Sequence, residues 1–368
     1  MSSLSFVITF ASALAVSALL MPLIIFISRR YGWFDPTDHR KIHDGEIPRL
    51  GGVAIFLGWV AGAVVIPALL DYPTDQPGTL SAYRLAVFML GAAAIHLTGL
   101  WDDFTNLRPR YKFLIQIVVA VVLVVSGIRF YRLALPFTSL VINFPPLSIV
   151  LSVVWLVGVS NAVNLIDGMD GLSSTVSLAA SLAFGFMALA LGRPVSALVC
   201  FALSGAVIGF LFFNRPPARI FMGDSGALFL GYVLAALPLL EGARQTPLAF
   251  GIAATVMLIP ITDTLFAMGR RIIRRVPIAK PDREHLHHML LDFGLSEWAI
   301  LALVGGYGIA LAALAVLFSQ DFWAPGIALG LMVFLWLFTF ALIGAIHRRW
   351  KKRPLHQESG PSPSAERV

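Results

Sequence analysis

The chain of 368 residues is 58% hydrophobic and only 13% charged, with a mean hydropathy of +0.83. These values exclude an ordinary soluble domain and place the chain among polytopic membrane proteins. Its net charge of +7 would suit nucleic acid, but the basic residues sit in short segments between apolar runs, so no nucleic-acid partner is expected.

Apolar runs long enough to cross a bilayer, roughly 17–25 residues each, fall near 4–28, 52–70, 84–100, 113–128, 147–163, 173–191, 195–213, 225–240, 248–268, 298–318 and 323–346. Those at 147–163 and 225–240 are short, and tilted, half-buried or broken helices are expected there. The basic pair Arg29-Arg30 follows the first run instead of preceding it, which predicts a retained span and not a cleaved signal peptide. The segment 127–147, with Pro136 and Pro145-Pro146, is expected to form a small β-hairpin. In the segment 269–297, Arg270, Arg271, Arg274 and Arg275 predict an amphipathic stretch lying along the lipid surface.

The predicted fold is therefore an all-α polytopic membrane protein with about 11 transmembrane helices. Residues 1–347 form a single integral membrane domain, and 348–368 form a tail that is basic and then disordered. With Met1 outside, 22 of the 27 Lys and Arg residues fall on one side. That bias marks the side as cytoplasmic and the C-terminus as inside. The single cysteine, Cys200, can form no intramolecular disulfide.

Four polar clusters interrupt this apolar pattern, each beside a span. Carboxylates so placed are costly near lipid, which points to a metal or a charged substrate. Asp102-Asp103 closes the third run, and Asn106, Arg108, Arg110 and Lys112 follow. The group reads either as a solvated loop or as the lining of a phosphate site. Asn161, Asn164, Asp167 and Asp170 recur every three residues, as on a helical stripe, while Gly168 and Gly171 would end the helix. The bland reading is an Asn/Asp/Gly turn.

Asp224, in Gly223-Asp224-Ser225-Gly226, suits either a helix N-cap or a carboxylate for a hard cation, because Mg²⁺ needs only one or two carboxylates beside substrate phosphates. His285, His287 and His288 follow Asp282-Arg283 in a basic loop and favour hydrogen bonds to phosphate or sugar over a zinc site. Asp263 and His96 are expected to be structural polar contacts inside the bundle.

The order and spacing of these clusters, together with His43-Asp44-Gly45-Glu46-Ile47-Pro48-Arg49-Leu50-Gly51-Gly52, resemble the polyprenyl-phosphate N-acetylhexosamine-1-phosphate transferases. The histidine loop and the eleventh span resemble the bacterial branch that uses UDP-N-acetylglucosamine (UDP-GlcNAc) and undecaprenyl phosphate. The resemblance implies transfer of a sugar 1-phosphate with release of UMP, in the bacterial plasma membrane, with the active site facing the cytoplasm and a homodimer as one option. It puts Mg²⁺, or Mn²⁺ in its place, on Asp224 and Asn164. The catalytic set it implies is Asp102, Asp103, Lys112 and Asp167. Substrate binding falls to Asn106, Asn161, Asp170, Arg283, His285, His287 and His288. Two readings compete: the same chemistry on another UDP-N-acetylhexosamine or on UDP-MurNAc-pentapeptide, and a secondary transporter, whose coupling residues would lie near the midplane instead of at span ends.

Overall fold

A computed structural model describes residues 3–34, 47–65, 81–240, 246–277, 284–319 and 324–353. Helix α1 covers Ser3–Tyr31, and α2 covers Gly51–Val60, running on as a π-helical turn through Ala61–Val65. Then come α3 (Ala82–Thr105), α4 (Pro109–Val125), α5 (Pro145–Ile166), α6 (Leu172–Ala190) and α7 (Pro194–Asn214). Helix α8 (Gly223–Ala236) ends in a 3₁₀ turn, Leu237–Leu239, and is followed by α9 (Ala249–Val256), α10 (Leu258–Ile273), α11 (Leu286–Asp292), α12 (Glu297–Phe318) and α13 (Pro325–Lys351).

The boundaries have local causes. Proline opens α4, α5, α7 and α13, where its missing N–H would be unpaired anyway. The hydroxyls of Ser81 and Ser296 accept the Arg84 and Ala299 N–H groups and so cap α3 and α12.

Each of the eleven apolar runs overlaps a helix among the described residues. Seven helices among the described residues, α1, α3, α5, α6, α7, α12 and α13, have the length and apolarity to cross a membrane, and α9 with α10 would make an eighth, bent by 78°. The chain is thus an all-α polytopic membrane protein. The expected hairpin is present, β1 (Leu133–Ala134) pairing antiparallel with β2 (Val141–Ile142), and it docks on the start of α13 through Phe137 N–H and Gly326 O, 2.8 Å apart.

One expectation is corrected in part: Arg274 and Arg275 are exposed, as a stretch along the lipid surface requires, but the other two arginines are not. Arg270 and Arg271 do not face lipid: both are buried, while Ile272 and Ile273 beside them are exposed. Arg270 turns inward toward Glu284, at 3.6 Å, and Arg274 reaches the same carboxylate at 2.5 Å. An acid from the following loop outbids the membrane surface, because a buried arginine needs a charged partner. Residues 43–46, Asp282, Arg283 and the tail beyond Arg353 lie outside the described residues.

The centre of the bundle is α8, buried continuously from Ser225 to Ala236 and packed against α3, α5 and α2. Two glycines permit this closeness: a Cβ on Gly99 would lie 2.4 Å from Asp224 O, and one on Gly52 would lie 2.2 Å from Gly226 N. His96 is buried, stacked on Phe56 with ring centroids 4.3 Å apart, and its Nδ1 lies 3.0 Å from Ser225 O. Helix α3 is thereby locked to the start of α8.

Candidate active site

The first turn of α8, the last turn of α3, the first turn of α4 and the last turn of α5 converge. Lys112 Nζ lies 2.9 Å from Asp102 Oδ2 and 2.7 Å from Asp224 Oδ2, and Asn164 Nδ2 donates to Asp224 Oδ1 at 3.1 Å. Three of the four sequence clusters thus meet around Asp224 and the ammonium group it holds. The side chains of Lys112, Asp102 and Asp224 are 21%, 13% and 26% exposed, sheltered from bulk water yet open to a ligand.

The acid pair divides its work. Asp103 is buried, and its carboxylate accepts Asp224 N–H at 2.8 Å and Ser225 N–H at 3.1 Å. It therefore caps the start of α8 from a neighbouring helix, satisfying donors that no residue of α8 itself reaches. Arg49 donates to the Asp103 backbone carbonyl. The backbone of Gly51 and Gly52 hydrogen-bonds Phe221 O and Met222 O at 3.0 and 2.9 Å, so the first inner loop buttresses the turn that presents Asp224. Asp102, the other member of the pair, keeps Oδ1 buried without a hydrogen-bond partner among the described residues.

This donor set fits a hard cation. Asp102, Asp224 and the amide of Asn164 offer oxygen ligands around one ammonium, and three carboxylates (Asp102, Asp103, Asp224) sit within the cluster. Among the described residues no group of three His, Cys, Asp or Glu is placed to hold a metal ion by itself. The sparse set matches the way Mg²⁺ is held, through one or two carboxylates with phosphates completing the shell.

Of the stripe Asn161, Asn164, Asp167, Asp170, it is Asn164 whose contact with Asp224 joins it to the cluster. Asn161 Nδ2 donates to Gln116 Oε1 at 2.5 Å and to Val157 O at 2.7 Å, tying α5 to α4. Asp167 is the C-cap of α5. Asp170 is buried and accepts Ala218 N–H at 2.7 Å. Beside it, Asn214 accepts Gly171 N–H at 3.0 Å and donates to Ile220 O at 3.0 Å. Asp170 and Asn214 therefore pin the 215–222 loop that leads into Asp224. Asn214 was missed by sequence reasoning, although an asparagine closing an otherwise apolar helix was the available signal. Asn106 is exposed, with φ +49°, and ends α3.

The histidine loop meets the turn after α5 at Gly168. Asp263, just past the bend between α9 and α10, lies 2.7 Å from His285 Nδ1 and accepts Leu286 N–H at 2.9 Å. His287 packs between the rings of His285 and His288, centroids 6.1 and 4.2 Å away, and abuts Gly168, where a Cβ would fall 2.7 Å from its Nε2. Both His287 nitrogens are buried without a hydrogen-bond partner among the described residues. Burial, aided by the charge of His288, pushes its imidazole down to about 3, so it is neutral at neutral pH. Gly168 lies four residues after Asn164, past the end of α5 at Ile166, so the turn that follows α5 links the Lys112 cluster to the histidines. Arg283 lies outside the described residues.

Residues 85–241 match glycosyl transferase family 4. The chain is 33% identical over 349 residues to a Bacillus subtilis protein named probable undecaprenyl-phosphate N-acetylglucosaminyl 1-phosphate transferase, covering 94% of each. It is 31% identical to a Listeria monocytogenes phospho-N-acetylmuramoyl-pentapeptide-transferase, over 86% of this chain and 98% of the relative. It is also 31% identical to a Mycobacterium tuberculosis decaprenyl-phosphate N-acetylglucosaminephosphotransferase, over 76% of this chain and 74% of the relative. With that coverage and with the motif residues gathered at one site, the chain belongs to the polyprenyl-phosphate N-acetylhexosamine-1-phosphate transferase family.

Proposed function

We propose that the protein transfers N-acetylglucosamine 1-phosphate from UDP-GlcNAc to undecaprenyl phosphate, releasing UMP and leaving a lipid-linked pyrophosphoryl sugar that starts a cell-envelope glycan. The observation that carries this reading is Lys112 held between Asp102 and Asp224 with Asn164 alongside. A cation so fixed at the ends of membrane helices suits two anionic reactants, one of them a lipid. We place the protein in the bacterial plasma membrane, with eleven spans, N-terminus outside, C-terminus inside and the site on the cytoplasmic face.

In this reaction an oxygen of the acceptor phosphate attacks the sugar-bearing phosphorus of the donor. The bond to the bridging oxygen breaks, and UMP departs with that oxygen. No proton need move, because a phosphate monoester has its second pKa near about 6 and is mostly dianionic at neutral pH. The barrier lies in bringing anions together in line, so fixed positive charge dominates. Lys112 supplies that charge to the diphosphate. Asp102 and Asp224 hold the ammonium in place, and Asp103 fixes α8 and with it Asp224. Engagement of both Asp103 oxygens by backbone N–H groups supports a structural task for that residue over that of a base. Mg²⁺ would be held by Asp224 and Asn164, with Asp102 adjacent, and would supply charge neutralisation to the phosphates. His287, against Gly168, and His288 beside it take the donor.

Identity to the Listeria relatives keeps UDP-MurNAc-pentapeptide as the second donor to be tested. UMP release by purified protein, given undecaprenyl phosphate and a panel of UDP-sugars, decides between them. UDP-GlcNAc is expected to be the best donor, Lys112→Ala to lose at least about a hundredfold in rate, and the exposed Arg110→Ala to lose little. Faster turnover of the muramoyl-pentapeptide donor would overturn the assignment of the sugar.

A further inference from the structure

Where α6, α7 and α12 meet, two adjoining cavities open at the same end of the helices as the carboxylate cluster. No residue assigned above to substrate or metal lines them. The larger, about 450 Å³, is walled chiefly by Ile208, Leu211, Leu301 and Ala302. The smaller, about 270 Å³, is lined by Pro216, Pro217 and Arg219. The two share Phe212, Arg215 and Trp298, which makes them one groove with an apolar half and a basic half. Phe212 and Trp298 are more than half exposed. Arg215 and Arg219 are exposed too, and neither side chain has an acidic partner among the described residues.

We propose that this groove binds an anionic phospholipid of the surrounding bilayer, with an acyl chain along Ile208, Leu211 and Leu301 and the headgroup phosphate at Arg215 and Arg219. Three properties converge on that occupant. The apolar half lies within the size of ligand sites generally, roughly 300–1,000 Å³. Guanidinium groups match phosphate oxygens in geometry as well as charge. A tryptophan at the boundary of the two halves is the usual marker of the membrane–water interface. The acceptor lipid is a poorer fit, because its phosphate must reach Lys112 and Asp224, and no hydrogen bond or ion pair joins either arginine to them among the described residues. Arg215–Arg219 run directly into the segment pinned by Asp170 and Asn214, so an occupied groove would steady the approach to Asp224 and make turnover sensitive to anionic lipid.

Native mass spectrometry of the purified full chain, titrated with phosphatidylglycerol or phosphatidylcholine, tests the site. Wild type is expected to retain phosphatidylglycerol preferentially. An arginine near the surface contributes about fivefold to anionic-lipid binding, so Arg215→Gln with Arg219→Gln should weaken retention by about thirtyfold. Arg29→Gln with Arg30→Gln removes the same charge from the exposed end of α1 and should change little. Ala302→Trp, which fills the apolar half and leaves both arginines, should also weaken retention, and it decides the matter if the double glutamine variant fails to fold. Equal retention of the two lipids, equal losses in the Arg29/Arg30 variant, or displacement of phosphatidylglycerol by stoichiometric undecaprenyl phosphate would overturn the proposal.

Discussion

Asp224 is held by Lys112 and Asn164, while the N–H groups at the start of α8 are served by Asp103. The two roles that a single aspartate at a helix start normally combines are here assigned to two residues, and substitution can separate them. Asp224→Asn keeps size and a partner for Asn164 but removes the charge opposite Lys112. It is expected to lower UMP release by at least about a hundredfold, the scale of removing a key electrostatic group, with the melting temperature little changed. A steeper Mg²⁺ requirement should accompany the loss. Near-wild-type rates at unchanged Mg²⁺ would remove Asp224 from the reacting centre. Asp103→Ala should behave in the opposite manner. Loss of a cap costs roughly 0.5–2 kcal/mol, read as a lower melting temperature in detergent, and activity should fall along with the folded fraction. An unchanged melting temperature would show that the cap contributes nothing.

At the scale of elements, the histidine loop depends on α10 and on the end of α5. Asp263 holds His285 and the Leu286 N–H, and His287 is pressed neutral against Gly168, pushed down to about 3 by burial. The unfolded imidazole takes up its proton near 6.5, so between 6.5 and about 3 the unfolded chain binds more protons than the folded one. Stability should therefore be independent of this group above pH 6.5 and fall as pH drops below it. Melting curves of wild type and His287→Gln from pH 8 to 5 are expected to run parallel above 6.5, with the wild type declining more steeply below. Identical slopes throughout would mean that His287 is solvated.

The elements also show what the sequence made legible. Spans, hairpin and the four polar clusters were readable because apolar length and Pro, Gly, Asn and Asp punctuation are local signals. The Lys112–Asp224 pair, the capping of α8 by Asp103 and the burial of Arg270 by Glu284 were not, since each joins residues on different elements. On the stripe from Asn161 to Asp170 helical spacing holds up to Ile166; beyond it the chain turns, as Gly168 and Gly171 signalled, and Asp170 accepts the Ala218 N–H.

For the whole molecule the number of crossings turns on three helices shorter than the other spans, α2 with its π-helical turn, α4 and α8, and α8 can be tested by itself. From Gly223 to the end of its 3₁₀ turn at Leu239 the helix has 17 residues, about 25 Å at 1.5 Å per residue, against a hydrocarbon core of about 30 Å. A helix that short suits a bilayer only if its ends are covered by protein, and α8 is buried along nearly its whole length. Counting α8 as a span puts five crossings between Leu191 and Lys352: α7, α8, the bent α9–α10 pair, α12 and α13. Omitting it leaves four. The first count puts these two positions on opposite sides, the second on the same side. Cys200, the single cysteine, is buried, so substituted cysteines can be read against a silent background. In intact cells an impermeant maleimide is expected to label Leu191→Cys at once and Lys352→Cys only after permeabilisation, as eleven spans with an internal C-terminus require. Labelling of both positions from the same side would remove α8 from the count and leave it as a central helix carried inside the bundle.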